Sequence, residues 1–267
     1  MSHRPPRSVQ WIALVLLAAG LLRATGAFGS SFAAWTVADD NTTSLGTTSW
    51  DSFSLSTPSP TAGTVFVETI TATLAGGGTD ASYTGAKTVT FSGPSASPGG
   101  SSPSYPASVT FVAGVGTAPI TLYDAQTTSI TAVQGAVSGT SASFTVAVGS
   151  AGKLGFTNFT GAPAGSSQSG CPFGCTYTTF GKGNTVKVSV EITDSWGNIV
   201  SGFGAAKSVT LSTTGASVSP TSVTVPSSGT AQSPQFTYTA PSSNGWTSQT
   251  VTATATGYTN LTMTVNK

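Results

Sequence analysis

Charge is what this chain has least of. Lysine, arginine, aspartate and glutamate make up 6% of its 267 residues, against roughly 25% in an ordinary soluble domain. Its surface must therefore be solvated by Ser and Thr hydroxyls, as in many extracellular β proteins. Histidine occurs once, as His3. Cysteine occurs twice, as Cys171 and Cys175. A zinc site needs about four ligands, so metal binding is not expected. If the N-terminal segment is removed, no histidine remains to activate a serine or cysteine. Ser–Lys chemistry is not read from the remaining chain either. The eight carboxylates include Glu68, Asp80, Asp124, Glu191 and Asp194. Nothing in their spacing selects the facing pair that a glycosidase needs. Asp39-Asp40-Asn41 is read as a solvated linker rather than a cation site. The expectation is a protein that is not an enzyme, with no cofactor and no metal.

Arginine is confined to Arg4, Arg7 and Arg23. Beyond them six lysines face eight carboxylates, a balance of −2. No basic stripe is left to neutralise phosphates, which argues against nucleic acid as a partner. Long apolar runs are also missing, with one exception. "WIALVLLAAGLL" (11–22) follows the basic "MSHRPPRSVQ". Its 12 residues suit the apolar core of an export signal and fall short of the ~20 needed to span a bilayer. Cleavage after Ala27 or Ala33 fits the small residues there. The other reading is an uncleaved anchor, with membrane contact only through 11–22. Either way the chain is placed outside the cytosol, extracellular or at the cell surface.

That compartment lets disulfides persist. Cys171 and Cys175 flank Pro172-Phe173-Gly174, a turn-forming trio. The pair is read as a structural disulfide.

What is abundant is Thr, Ser, Gly and Val in alternation. In "TVKVSVEI" (185–192), Val186, Val188, Val190 and Ile192 share one face and Thr185, Lys187, Ser189 and Glu191 the other. This period of two predicts a strand with one buried and one wet side. No segment beyond the N-terminal run has a helical period. The pattern also repeats. "GAKTVTFS" (85–92) matches "AAKSVTLS" (205–212), and "ASVTF" (107–111) matches "TSVTV" (221–225). "TSITA" (128–132) matches "QTVTA" (249–253), and "SASFTV" (141–146) matches "NLTMTV" (260–265). Four matches in one order imply a duplicated unit. About seven short strands per copy suit a sandwich. The predicted organisation is all-β: a signal or anchor (1–33), a linker (34–50), and two tandem β-sandwiches (51–148 and 152–267).

Two positions strain the pattern. Glu68 shares a face with Phe66, Ile70, Ala72 and Leu74 in "TVFVETITATL". A lone carboxylate in a core is costly, so a bulge or a rim position is expected. The other reading is an acid that promotes a Lys–Asp cross-link; a Lys–Asn link is impossible within 51–150, which lacks asparagine. In "ITDSWGNIVSGF" (192–203), Asp194, Gly197 and Asn198 suit a turn that carries Trp196. The turn is read as a strand connection, or as a contact loop formed by Asp194, Trp196 and Asn198.

"VSVEITDSWGNIVSGFGAAKSVTLS" resembles the bacterial Ig-like repeats of invasin-type surface proteins, in which a strand leads into an Asp-x-x-Gly-Asn turn. "FTYTAP" and "TVTATATGYTNLTMTV" resemble their terminal strands. "AGKLGFTN" is similar to the inter-repeat junctions of large secreted actinobacterial proteins. The resemblance implies a structural or adhesive surface role and carries over no catalytic residue. Its partner would be a surface protein or glycan. Two alternatives stand beside it. One is a carbohydrate- or cell-wall-binding module with Trp196, Trp246, Tyr83 or Tyr177 as platforms. The other is a filament subunit that donates "AAWTVADDNTTSLGTTSW" as an exchanged strand.

Overall fold

Regular structure among the described residues is entirely β, as their Thr/Val alternation requires. The computed structural model describes residues 52–267, and no helix occurs among them. The expected export segment, the linker, the donor segment and Asp39-Asp40-Asn41 lie outside the described residues.

The first copy begins with β1 (Ser52–Leu55), β2 (Val65–Thr73), β3 (Gly85–Lys87), β4 (Thr90–Ser92) and β5 (Val109–Val112). It continues with β6 (Val115–Thr121), β7 (Thr127–Thr128), β8 (Thr131–Gln134), β9 (Val137–Thr140) and β10 (Phe144–Thr145). A five-stranded sheet runs β1-β2-β6-β5-β3. Opposite it lie β4-β8-β9 and the pair β10-β7. Phe53, Ile70, Phe111 and Ile120 from the large sheet meet Phe91, Ile130, Ala132 and Phe144 in one core.

The second copy begins with β11 (Lys153–Thr160), β12 (Ser167–Ser169), β13 (Cys175–Thr178), β14 (Thr185–Thr193) and β15 (Lys207–Thr213). It ends with β16 (Ser217–Ser219), β17 (Ser222–Val225), β18 (Phe236–Thr239), β19 (Ser248–Thr254) and β20 (Leu261–Asn266). Its sheets run β11-β14-β18-β16 and β12-β13-β20-β19-β15-β17. Their inner faces share a second core that includes Phe156, Val188, Val190, Leu211, Tyr238 and Met263. Each such side chain contributes about 1.5–3 kcal/mol by leaving water.

Both copies are Ig-like sandwiches with one shared peculiarity. The N-terminal part of each serves both sheets. In the first, β1 pairs with β2 antiparallel, and Thr61 then bridges Ala147 in parallel. In the second, β11 pairs with β14, and β13 then joins β20 in parallel. The copies differ in continuity. The matched stretch that runs unbroken as β15 is split into β3 and β4 in the first copy, and each copy has ten segments against the seven expected.

Two expectations need correction. Glu68 is neither at a rim nor at a bulge. The ladder from Val65↔Thr121 to Thr71↔Val115 passes through Glu68↔Ala118 without a shift, and Glu68 is fully buried. The Ser56 hydroxyl donates to its Oε1 at 2.7 Å, while Oε2 has no partner. Burial pushes its carboxyl above the usual 4.5, against the pull of the Ser56 hydroxyl and backbone N–H. Protonation lowers the desolvation cost of the site. The one lysine of this sandwich, Lys87, holds its ammonium 5.0 Å from the centre of the Tyr83 ring.

The sign of the pH effect follows. A carboxyl whose folded value is raised binds its proton more tightly in the folded state. Its contribution is therefore complete below the unfolded value and is lost as pH rises through the folded one. Glu68→Gln should raise stability at neutral pH by about 1–3 kcal/mol. It should change little below pH ~4.5. Urea midpoints at the two pH values test this; a variant destabilised at neutral pH would contradict it.

The second correction concerns β14. Its inward valines and Ile192 are buried as expected, and Thr185 and Lys187 are exposed, but Ser189 and Glu191 on the supposed wet side are buried. The reason is tertiary: Gln232 and Thr157 bond Glu191, and Pro172 at the β12–β13 tip stands over the same stretch of sheet.

Candidate functional site

The described residues, 52–267, form one compact unit, and the loop 194–198 is a main reason. Its counterpart in the first copy is the exposed Leu74–Gly78 turn. The two are equivalent: Thr73 bridges Thr79 across one, and Thr193 bridges Ile199 across the other. Leu-Ala-Gly-Gly-Gly in the first copy has become Asp-Ser-Trp-Gly-Asn in the second, and this loop enters the first sandwich.

Asp194 organises the turn. Its Oδ1 accepts from the backbone N–H of Trp196 at 2.8 Å and of Asn198 at 3.0 Å. Its Oδ2 accepts from Asn198 Nδ2 at 2.8 Å and from Gly149 N–H, in the inter-sandwich linker, at 3.0 Å. A short acid is needed because the oxygens must reach N–H groups two and four residues on. Gly197 adopts φ +91°, which favours glycine, and a Cβ there would stand 2.7 Å from Gly99 N. Asn198 is spent across the junction. It donates to Tyr123 O at 2.7 Å and accepts from Ala125 N–H at 2.9 Å.

Trp196 is the plug. Its ring centre lies 4.4 Å from that of Tyr123, and the side chain packs against the first sandwich's core. Its carbonyl accepts from Gly99 N–H at 2.8 Å. The indole occupies the place where a Cβ of Gly63 would project.

The cysteine loop closes the joint from one side. Cys171 and Cys175 are disulfide-bonded at the tip of the β12–β13 hairpin. Pro172 O accepts from Phe156 N–H at 3.1 Å. A Cβ on Gly155 or Gly197 would touch the Pro172 ring at 3.1 Å, and one on Gly99 would meet the Phe173 ring at the same distance. Lys153 lays its ammonium on Phe173, 4.6 Å from the ring centre, and donates to Ser195 O. Cys175→Ser, with Cys171→Ser, should cost about 2 kcal/mol, the chain-entropy value for so short a loop. Denaturant unfolding with and without reductant measures it; no loss would mean that packing alone holds the tip.

Asp194, Trp196 and Asn198 thus come together at the junction, and the contact they make there is with the first sandwich. Gly63, Gly99, Tyr123 and Ala125 were not picked out from sequence; "PGG" (98–100) was the one local sign of a special turn. The other proposed platforms are also occupied. Trp246 and Tyr177 are buried, and Tyr83 donates to Gln134 beneath the Lys87 ammonium. One catalytic spacing does occur, Ser150-x-x-Lys153, but the lysine is committed to Phe173 and Ser195 as above. Among the described residues, no group of three or more His, Cys, Asp or Glu is placed to hold a metal.

No family model matches the chain, and no curated protein matches it. Some solved structures are similar in outline. The D0–D1 domain of intimin is 15% identical, with 80% of this chain and 95% of that one covered, at a TM-score of 0.28. FdeC, an Escherichia coli adhesin, is also 15% identical, with 83% and 65% covered, at 0.33. A glycosyl hydrolase family 2 member from Bacteroides cellulosilyticus is 12% identical, with 81% and 28% covered, at 0.34. At such scores the sandwich assignment rests on the strand pairing of this chain itself.

Proposed function

We propose that this is a non-catalytic secreted or cell-surface protein, structural or adhesive, whose two Ig-like modules act as one stiff pair. The observation that carries the reading is the Asp194–Asn198 turn. It places an indole and a buried hydrogen-bonded network inside the neighbouring module, where independently moving modules would need a soft linker. The composition supports exposure outside the cytosol. So does the disulfide, which persists in oxidising compartments. Asp194 and Asn198 are spent in the joint and Glu68 in a core.

Two experiments test the halves separately. Small-angle scattering of the purified chain should fit a single fixed arrangement of the two modules. A distribution that needs many arrangements would end the stiff-pair reading. Antibody labelling of intact cells that express the full-length chain should reveal it at the surface, and labelling only after permeabilisation would end the surface reading.

A further inference from the structure

On the outer face of the β11–β14 pair, beside the joint, lies a pocket of about 260 Å³. The first sandwich supplies Pro98, and the second supplies Thr157, Phe159, Gln168, Pro172 and Glu191. The volume is below the ~300–1,000 Å³ of sites for drug-sized ligands, which limits a guest to one side chain or a small molecule.

The chemistry is set by Glu191, which is only 4% exposed. Gln232 Nε2 donates to its Oε2 at 3.3 Å, and the Thr157 hydroxyl also bonds it. Burial nevertheless raises its proton affinity, and no cation offsets this. Two lysines share that sheet face: Lys153 is held away by Phe173 and Ser195, and Lys187 is exposed four residues before Glu191 on β14, opposite Thr160. A carboxylate removed from water is costly until a cation meets it with good hydrogen bonds. Further acceptors are present. Gln168 directs Nε2 to Cys171 Sγ, so its Oε1 faces only the Tyr177 hydroxyl at 3.4 Å and keeps a lone pair. Pro98, Pro172 and Phe159 supply apolar wall.

We propose that this pocket takes an alkylammonium group, its nitrogen at Glu191 and its methylenes along Pro98, Pro172 and Phe159. The group has two sources of one chemistry: a lysine side chain of a partner protein, or a free aliphatic amine. A neutral guest of equal size would leave the carboxylate desolvated and unpaired.

The test is an NMR titration of the full chain with n-butylammonium chloride, with sodium chloride and n-butanol as matched controls. Saturable shifts confined to residues 97–99, 155–172, 191 and 232 are expected, with a Kd of about 1 mM. Glu191→Gln should weaken binding at least about tenfold. Thr157→Lys offers a built-in ammonium and should abolish binding, which keeps the test decisive if the first variant folds poorly. Separate titrations with Nα-acetyl-lysine amide and with a linear diamine assign the source by whichever binds more tightly. Non-saturating shifts, equal binding of butanol, or unchanged affinity in both variants would overturn the proposal. None of these results bears on the stiffness of the module pair, which scattering reads independently.

Discussion

Trp196→Ala should turn one unfolding transition into two. The indole belongs by sequence to the second sandwich and by packing to the core of the first, so neither module loses structure without disturbing the other. Truncation of a buried aromatic costs about 3–5 kcal/mol. Trp196 is only partly buried, which places it near the lower end, about 3 kcal/mol. That loss falls almost wholly on the coupling between modules. Calorimetry of the parent should give equal calorimetric and van't Hoff enthalpies, the mark of a single cooperative unit. In the variant the van't Hoff value should fall to about half, as two modules melt separately. A variant that still melts once, at an unshifted temperature, would show that the plug holds nothing together.

Gly63→Ala should be nearly as damaging, for a different reason. Gly63 sits at φ +76°, where a side chain costs about 1–2 kcal/mol. In addition its Cβ would enter the volume of the Trp196 indole. The backbone penalty remains whatever Trp196 does, but the collision does not. We therefore expect a loss of about 3 kcal/mol in the parent and about 1 kcal/mol in the Trp196→Ala background. The difference, about 2 kcal/mol, is the steric coupling of the pair. Equal losses in both backgrounds would mean that the ring moves aside freely. Urea unfolding of the four proteins in this cycle supplies all the values.

How far these features were legible in the sequence depends on how local their causes are. The inward run Val186, Val188, Val190 and Ile192 follows from period two alone, and the structure buries all four. The cysteine pair was readable because both partners and the intervening turn lie within five residues. Glu68 went wrong in an instructive way. Alternation pointed it inward, and the cost of burial argued it back to the rim. The missing fact was the Ser56 hydroxyl, 12 residues away across a strand pair. The 194–198 turn was legible as a turn, because Asp, Gly and Asn act on their own backbone. Its burial was not. Asn198 finds Tyr123 and Ala125 at separations of 75 and 73 residues, and no short-range pattern encodes an encounter across that distance. For the same reason, Ser189 and Glu191 read as wet when they are covered.

The difference between the two equivalent turns bears on how this chain can be divided. A fragment cut at Lys153 would keep its sheets and its second core. It would also carry a bare indole beside Ile199, and an aspartate and an asparagine deprived of Gly149, Tyr123 and Ala125. Such an end is sticky, and the isolated piece should clump with copies of itself. The first module cut free has the gentler defect of an empty notch at Gly63. Anyone dissecting the molecule for antibodies or crystals would do better to take both halves together.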